Sequence, residues 1–165
     1  MKRAHRSIAS AMLLAIATTP ALAQQAAKKK MSADAQRGRY LVQIAGCNDC
    51  HTPGYAPNES KVEEKLWLTG DILGFRGPWG TTYPANLRQV AQQLTEDQWV
   101  KKATSPHLRP PMPWYNVRDM TDRDVRAIYR YLKFMGPAGQ PVPAYVPPDK
   151  TPNPPFVQFP APPPK

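Results

Sequence analysis

The chain has 165 residues, with 22 Lys and Arg against 12 Asp and Glu, a net charge of +10, 21 prolines and two cysteines. That length suits one domain, and two thiols exclude a four-thiolate zinc site. The basic excess keeps a protein soluble and steers it toward acidic partners, whereas basic residues this scattered argue against nucleic acid.

The chain opens on Met1-Lys2-Arg3-Ala4-His5-Arg6, basic with no acid, followed by an apolar run from Ile8 to Ala17 and then Pro20-Ala21-Leu22-Ala23. A positive start, a short apolar core and an Ala-x-Ala site predict a secretory signal peptide, residues 1–23, cleaved after Ala23. The run is short for a bilayer span. Removing residues 1–23, which hold Lys2, Arg3 and Arg6, leaves 142 residues with 19 basic and 12 acidic side chains, net +7. Residues 24–32, with Lys28-Lys29-Lys30, read as a flexible leader.

Ser32 is a helix cap, and Ala33 to Ala45 reads as a helix with Tyr40, Leu41 and Ile44 on one side. Gly38 would let a second helix approach closely, and Gly46 would end the helix.

Next stands Cys47-Asn48-Asp49-Cys50-His51. Two thiols three positions apart with a histidine directly after them are the pattern of covalent haem attachment. Each thiol can add to a porphyrin vinyl group as a thioether, and His51 can then bind iron from one side. A redox dithiol or half of a zinc site are the competing readings of the pair. The helix before the motif, in place of a strand, speaks against a thioredoxin-like site.

Residues 51–59 are turn-rich, and the carbonyl of Pro53 is a candidate acceptor for the second imidazole N–H. Val62 to Leu68 reads as a helical turn or an irregular stretch. Leu68, Leu73, Phe75, Trp79 and Tyr83 stand in a glycine-rich loop and are candidates for one edge of a haem pocket, or for plain core.

Thr95 and Gln98 form a capping box that predicts a helix over Glu96 to Ala103, with Trp99, Val100 and Ala103 inward. Residues 104–113 read as loop. Thr121 starts the last helix, where Val125, Ile128, Tyr129 and Leu132 make an amphipathic stripe ending near Met135-Gly136-Pro137. No strand alternation is evident, so the class predicted is all-α: about three to five helices, long loops and a proline-rich C-terminal extension. That extension, residues 137–165, cannot be helix or central strand. Its Tyr145, Val146, Phe156, Val157 and Phe159 are anchors that predict a strap packed on the domain as far as about Phe159.

A haem iron held by His51 has a second axial position. Met112, in the helix-free run Pro110-Pro111-Met112-Pro113, is the leading candidate, with Met120 and His107 behind it, and Met135 reads as packing.

The helix from Gly38 to Gly46, the Cys47–His51 site, the loop Arg109-Pro110-Pro111-Met112-Pro113-Trp114 and the helix Asp124 to Leu132 together resemble a class I c-type cytochrome. In detail they resemble the monohaem proteobacterial cytochromes related to the cytochrome subunits of periplasmic alcohol and aldehyde dehydrogenases. The resemblance spans about Ala33 to Met135. It implies a cytochrome domain over 33–136, terminal helices crossing near Gly38 and Tyr129, and one haem c held by Cys47 and Cys50 with His51 and Met112 as axial ligands. Such relatives carry Tyr-x-x-Asn-Leu-Thr near the haem. Here the segment is Tyr83-Pro84-Ala85-Asn86-Leu87 followed by Arg88. The dehydrogenase subunits have several CxxCH sites and this chain has one. The resemblance therefore implies a periplasmic electron carrier and not an enzyme, passing single electrons between redox partners, one of them with an acidic docking face. The alternative is a haem sensor or peroxidase-like protein with an open sixth position.

Overall fold

The structure, a computed structural model, describes residues 30–106 and 108–161. The expected signal peptide, most of the leader and the candidate ligand His107 lie outside the described residues. Of the leader, Met31 rests against the core and Ser32 caps the first helix, accepting from the Ala35 amide at 3.2 Å.

Among the described residues there are six α-helices: α1 (Ala33–Ile44), α2 (Cys47–His51), α3 (Leu87–Gln93), α4 (Glu96–Ala103), α5 (Trp114–Arg118) and α6 (Asp122–Met135). A 3-10 turn covers Glu64–Leu66. Three short strands, β1 (Gly74–Gly77), β2 (Gly80–Thr82) and β3 (Phe156–Gln158), form a sheet in the order β2-β1-β3. The all-α expectation is thus corrected to a mixed architecture, six helices plus a small three-stranded sheet. The strands are three or four residues long, too short for alternation to show. One of them comes from the proline-rich tail, which pairs in parallel with β1 from eighty residues downstream. Short edge strands are where proline-rich chain can join a sheet.

The core is the crossing of α1 and α6. A Cβ on Gly38 would stand 2.0 Å from the Ala127 carbonyl oxygen, so the two backbones touch where no side chain intervenes. That contact fixes which face of α1 is inward: Ala35, Gly38, Leu41 and Val42 are buried. Tyr40 and Ile44, expected beside Leu41, are 57% and 61% exposed. On α6 the stripe of Val125, Ile128, Tyr129 and Leu132 is buried, together with Ala127 and Tyr131. Trp99 of α4 packs on Tyr129 with ring centroids 6.2 Å apart, and its indole N–H donates to the Val125 carbonyl at 3.1 Å. The outer face of α6 reaches α1 and α4 through ion pairs, Arg37 with Asp124, and Arg130 with both Asp34 and Glu96. These are solvated and contribute little beyond orientation.

Each main helix begins at the cap its sequence supplies. Thr95 and Gln98 make the reciprocal box of α4, and Thr121 accepts from the Asp124 amide at 3.2 Å to start α6. The end of α6 is closed from outside. The buried Arg88 guanidinium donates to the carbonyls of Met135 at 2.5 Å, Gly136 at 2.6 Å and Lys65 at 2.7 Å. A helix leaves its last carbonyls without intrahelical partners, and a cation is well placed there.

The tail then runs back over the sheet. Asn86 donates to the carbonyls of Ala138 (2.8 Å) and Gln140 (3.3 Å). Val146 exchanges two backbone hydrogen bonds with Thr81, at 2.7 and 3.1 Å. Phe159 closes the strap against Phe75 and Trp79, at ring-centroid distances of 6.2 and 5.4 Å.

Candidate functional site

The left-handed turn at Gly46 (φ 68°) separates α1 from α2, so the Cys47–His51 motif is itself a turn of helix set at an angle to the longer one. Its fixing points are buried. The Thr52 hydroxyl donates to Asn48 Oδ1 at 2.8 Å and accepts from the Leu68 amide at 2.8 Å, while the Gly70 amide donates to the His51 carbonyl at 2.8 Å. Leu68, a candidate for a pocket edge or for plain core, belongs to the core, where it is fully buried.

His51 is 8% exposed, and its Nδ1 lies 2.8 Å from the carbonyl oxygen of Ala85. The acceptor is therefore Ala85 and not Pro53, which is exposed on the turn that follows. A carbonyl only accepts, so Nδ1 carries the proton and Nε2 keeps its lone pair. Burial also holds the imidazole below its ordinary pKa, which favours the neutral ring that a metal requires.

Cys50 and His51 stand on the wall of a cavity of about 360 Å³, and Met112 stands on it too. The rest of the wall is mainly apolar, with Phe75, Tyr83, Leu87, Val90, Trp99 and Ile128 prominent, and Lys102 and Arg109 are the cations among its residues. Of the five loop residues expected at a pocket edge, Phe75 and Tyr83 are there. Trp79 packs under Phe159 instead. Cys47 is half-buried and leans on the core beside that wall. Met120 and Met135 pack against the core, and neither lines the cavity. A second hollow of about 450 Å³ lies between Tyr83 and the strap, lined largely by strap residues, without thiol or imidazole.

No disulfide joins Cys47 and Cys50. Burial pushes Cys47 up to about 11, and burial first, with Asp49 and Asp71 after it, raises Cys50 as well. Redox-active dithiols work through a depressed pKa, so the environment of this pair is the opposite of what dithiol exchange needs.

Among the described residues, no three His, Cys, Asp or Glu side chains converge as a metal cluster. Haem iron asks for less, since the macrocycle supplies four nitrogens and the protein only the axial groups. The donor set fits that demand: a neutral imidazole oriented by a carbonyl, a thioether on the same cavity, and thiols on the adjoining helical turn. The cavity falls within the range of about 300 to 1,000 Å³ usual for small-molecule and cofactor sites.

Sequence reasoning missed α3 and the role of Ala85. Leu87, Val90, Ala91 and Leu94 stand at helical spacing behind the Asn86 cap, a signal sufficient to place α3. Ala85 has no such signal, because its contribution is a backbone oxygen.

Compared with known proteins, the chain matches no family model, no curated protein and no solved structure.

Proposed function

We propose that the chain is a monohaem c-type cytochrome of the cytochrome c-like fold, exported to the periplasm, where it carries single electrons between redox partners. The observation that carries this reading is the meeting of His51 and Met112 on one apolar cavity that Cys50 also lines, with the imidazole's free nitrogen left available by the Ala85 contact.

Cys47 and Cys50 would hold haem c by thioether bonds, and His51 and Met112 would bind its iron. Bound there, haem supplies a one-electron couple, Fe(III)/Fe(II), and a Met/His ligand pair raises its potential. The chain's own part is positional. α2 presents the thiols and the imidazole together, Ala85 fixes the ring plane, and the apolar wall excludes water. Lys102 and Arg109, on the cavity wall and exposed, favour a partner with an acidic docking face. With the Met112 thioether on the same cavity as His51, the open-iron sensor or peroxidase-like alternative has less support.

The test is the protein purified from a strain with working cytochrome maturation. It should be coloured, heavier than the processed polypeptide by one haem, and low-spin, with a near-infrared sulfur–iron band when oxidised. Colourless protein at the bare polypeptide mass would refute the proposal. High-spin iron that binds carbon monoxide readily would favour the sensor.

A further inference from the structure

We infer that Arg109 and Tyr145 form a clasp through which the proline-rich strap holds the Met112 sulfur in place, making both of them positioning residues for the site. The inference rests on the haem reading above and deepens it.

The loop that carries Met112 has little hydrogen bonding of its own. Pro110, Pro111 and Pro113 have no amide to donate. The local bonds that remain are Met112 N to the Arg109 carbonyl at 3.3 Å and Trp114 N to the Met112 carbonyl at 2.8 Å. A thioether offers no strong hydrogen bond to fix its direction. The loop's position must therefore come from outside it.

Arg109 supplies the link. Its guanidinium carbon lies 4.1 Å from the centroid of the Tyr145 ring, the shortest such cation–ring distance among the described residues. Among those residues Arg109 makes no ion pair, so the aromatic face is its anchor. Tyr145 is itself held. Its hydroxyl donates to the Trp79 carbonyl at 2.8 Å, and its neighbour Val146 is doubly bonded to Thr81. Gly80 makes the close fit possible, since a Cβ there would stand 2.4 Å from the Val146 oxygen and 2.7 Å from the Tyr145 hydroxyl. The strand so gripped continues through Thr82, Tyr83 and Pro84 to Ala85, all on the cavity wall. Tyr145 thus joins the wall that orients His51 to the loop that offers Met112. A strap that only covered the surface would not need its aromatic ring under the one arginine of that loop.

External imidazole competes with a methionine for an iron position, so its affinity reads how firmly the sulfur is held. In haem-loaded protein, Tyr145→Leu and Arg109→Gln should each bind imidazole about fivefold more tightly than wild type, the upper end of the range for an exposed cation–π contact. Each should also weaken the near-infrared sulfur–iron band. Tyr145→Phe keeps the ring and should stay within about twofold of wild type, and Arg109→Lys, which keeps a cation, should fall between. The double variant Arg109→Gln/Tyr145→Leu should do little more than either alone. Wild-type protein without haem, or with haem but no sulfur–iron band, would remove the reading beneath the clasp and the clasp with it. If wild type shows that band and the variants melt earlier but bind imidazole as wild type does, the strap is only structural: the clasp is refuted while the cytochrome reading stands.

Discussion

The carbonyl of Ala85 accepts a hydrogen bond from His51 Nδ1 at 2.8 Å, across thirty-four positions of sequence. What holds that carbonyl in place is its neighbour. The buried Asn86 side chain caps α3 by accepting from the Gln89 amide at 3.0 Å and donates to the strap carbonyls of Ala138 and Gln140. Asn86→Ala should cost roughly 1 to 2 kcal/mol, about 1 for the cap and the rest for two part-buried strap carbonyls that lose their donor. Asn86→Asp keeps the cap but cannot donate, so it should recover only the cap's share. Urea unfolding measures both losses. Proton NMR should also show the His51 Nδ1 proton exchanging faster in Asn86→Ala than in wild type.

Gly38 faces the Ala127 carbonyl with no room for a methyl group. In an isolated helix, Gly→Ala stabilises by about 1 kcal/mol. Here the added Cβ must push α1 and α6 apart, and overpacking of that kind costs about 1 to 3 kcal/mol and occasionally more. The expected sign is therefore destabilising, by about 2 kcal/mol, read as a drop in the thermal midpoint. A stabilised Gly38→Ala would mean that the two helices do not cross at this point in solution.

The helices that carry the core were readable because their information is local. The Thr95–Gln98 box, the Thr121 cap and the stripe on α6 each lie within one or two turns of chain. Gly38 announced a close approach, and the partner atom came out at Ala127, two residues from the crossing expected at Tyr129. The sheet was not readable because its information is distant. β3 is recognisable only beside β1, and Gly74-Phe75-Arg76-Gly77 carries no alternation. The site divides the same way. Cys50, His51 and Met112 could be proposed from residue type and spacing, whereas the acceptor of the His51 proton is an anonymous backbone oxygen brought in by the fold. Tyr40 and Ile44 misled because helical periodicity fixes the spacing of a face but not which face turns inward. The Gly38 contact decided that.

Arg88 stands where the Tyr-x-x-Asn-Leu-Thr pattern described above has threonine, and the structure gives it work that a threonine cannot do. Its planar fork joins the carbonyls of Lys65, Met135 and Gly136 while only 5% exposed. Arg88→Ala strands two carbonyls at the end of α6 and that of Lys65, and should cost about 3 kcal/mol or more. Arg88→Lys should recover less than half of that, since a single ammonium cannot address three acceptors arranged for a guanidinium. Urea midpoints of the three proteins check the order wild type, Lys, Ala.

Glu64 ties the loop after α2 to both core helices. Its carboxylate accepts from Arg39 of α1 at 2.8 and 2.9 Å, and from the Tyr131 hydroxyl of α6 at 2.9 Å. The Arg39 hydrogen bonds, with Tyr131 assisting, hold the carboxyl below the usual carboxylate range. A group whose folded pKa is depressed contributes stability that is fully present above its unfolded value and is lost as pH falls through the folded one. The contribution should therefore be complete at neutral pH and fade below about pH 4.3. After solvent screening it amounts to about 1 kcal/mol. Glu64→Gln should be less stable than wild type by about that amount at pH 7, and the gap should narrow as pH falls below the ordinary glutamate value of about 4.3. Tyr131→Phe should weaken the same dependence without abolishing it, because the Arg39 pair remains. Thermal melts across that range decide the matter. A gap that stayed constant from pH 7 to pH 3 would show that the carboxylate's charge contributes nothing and that Glu64 serves only as a hydrogen-bond acceptor.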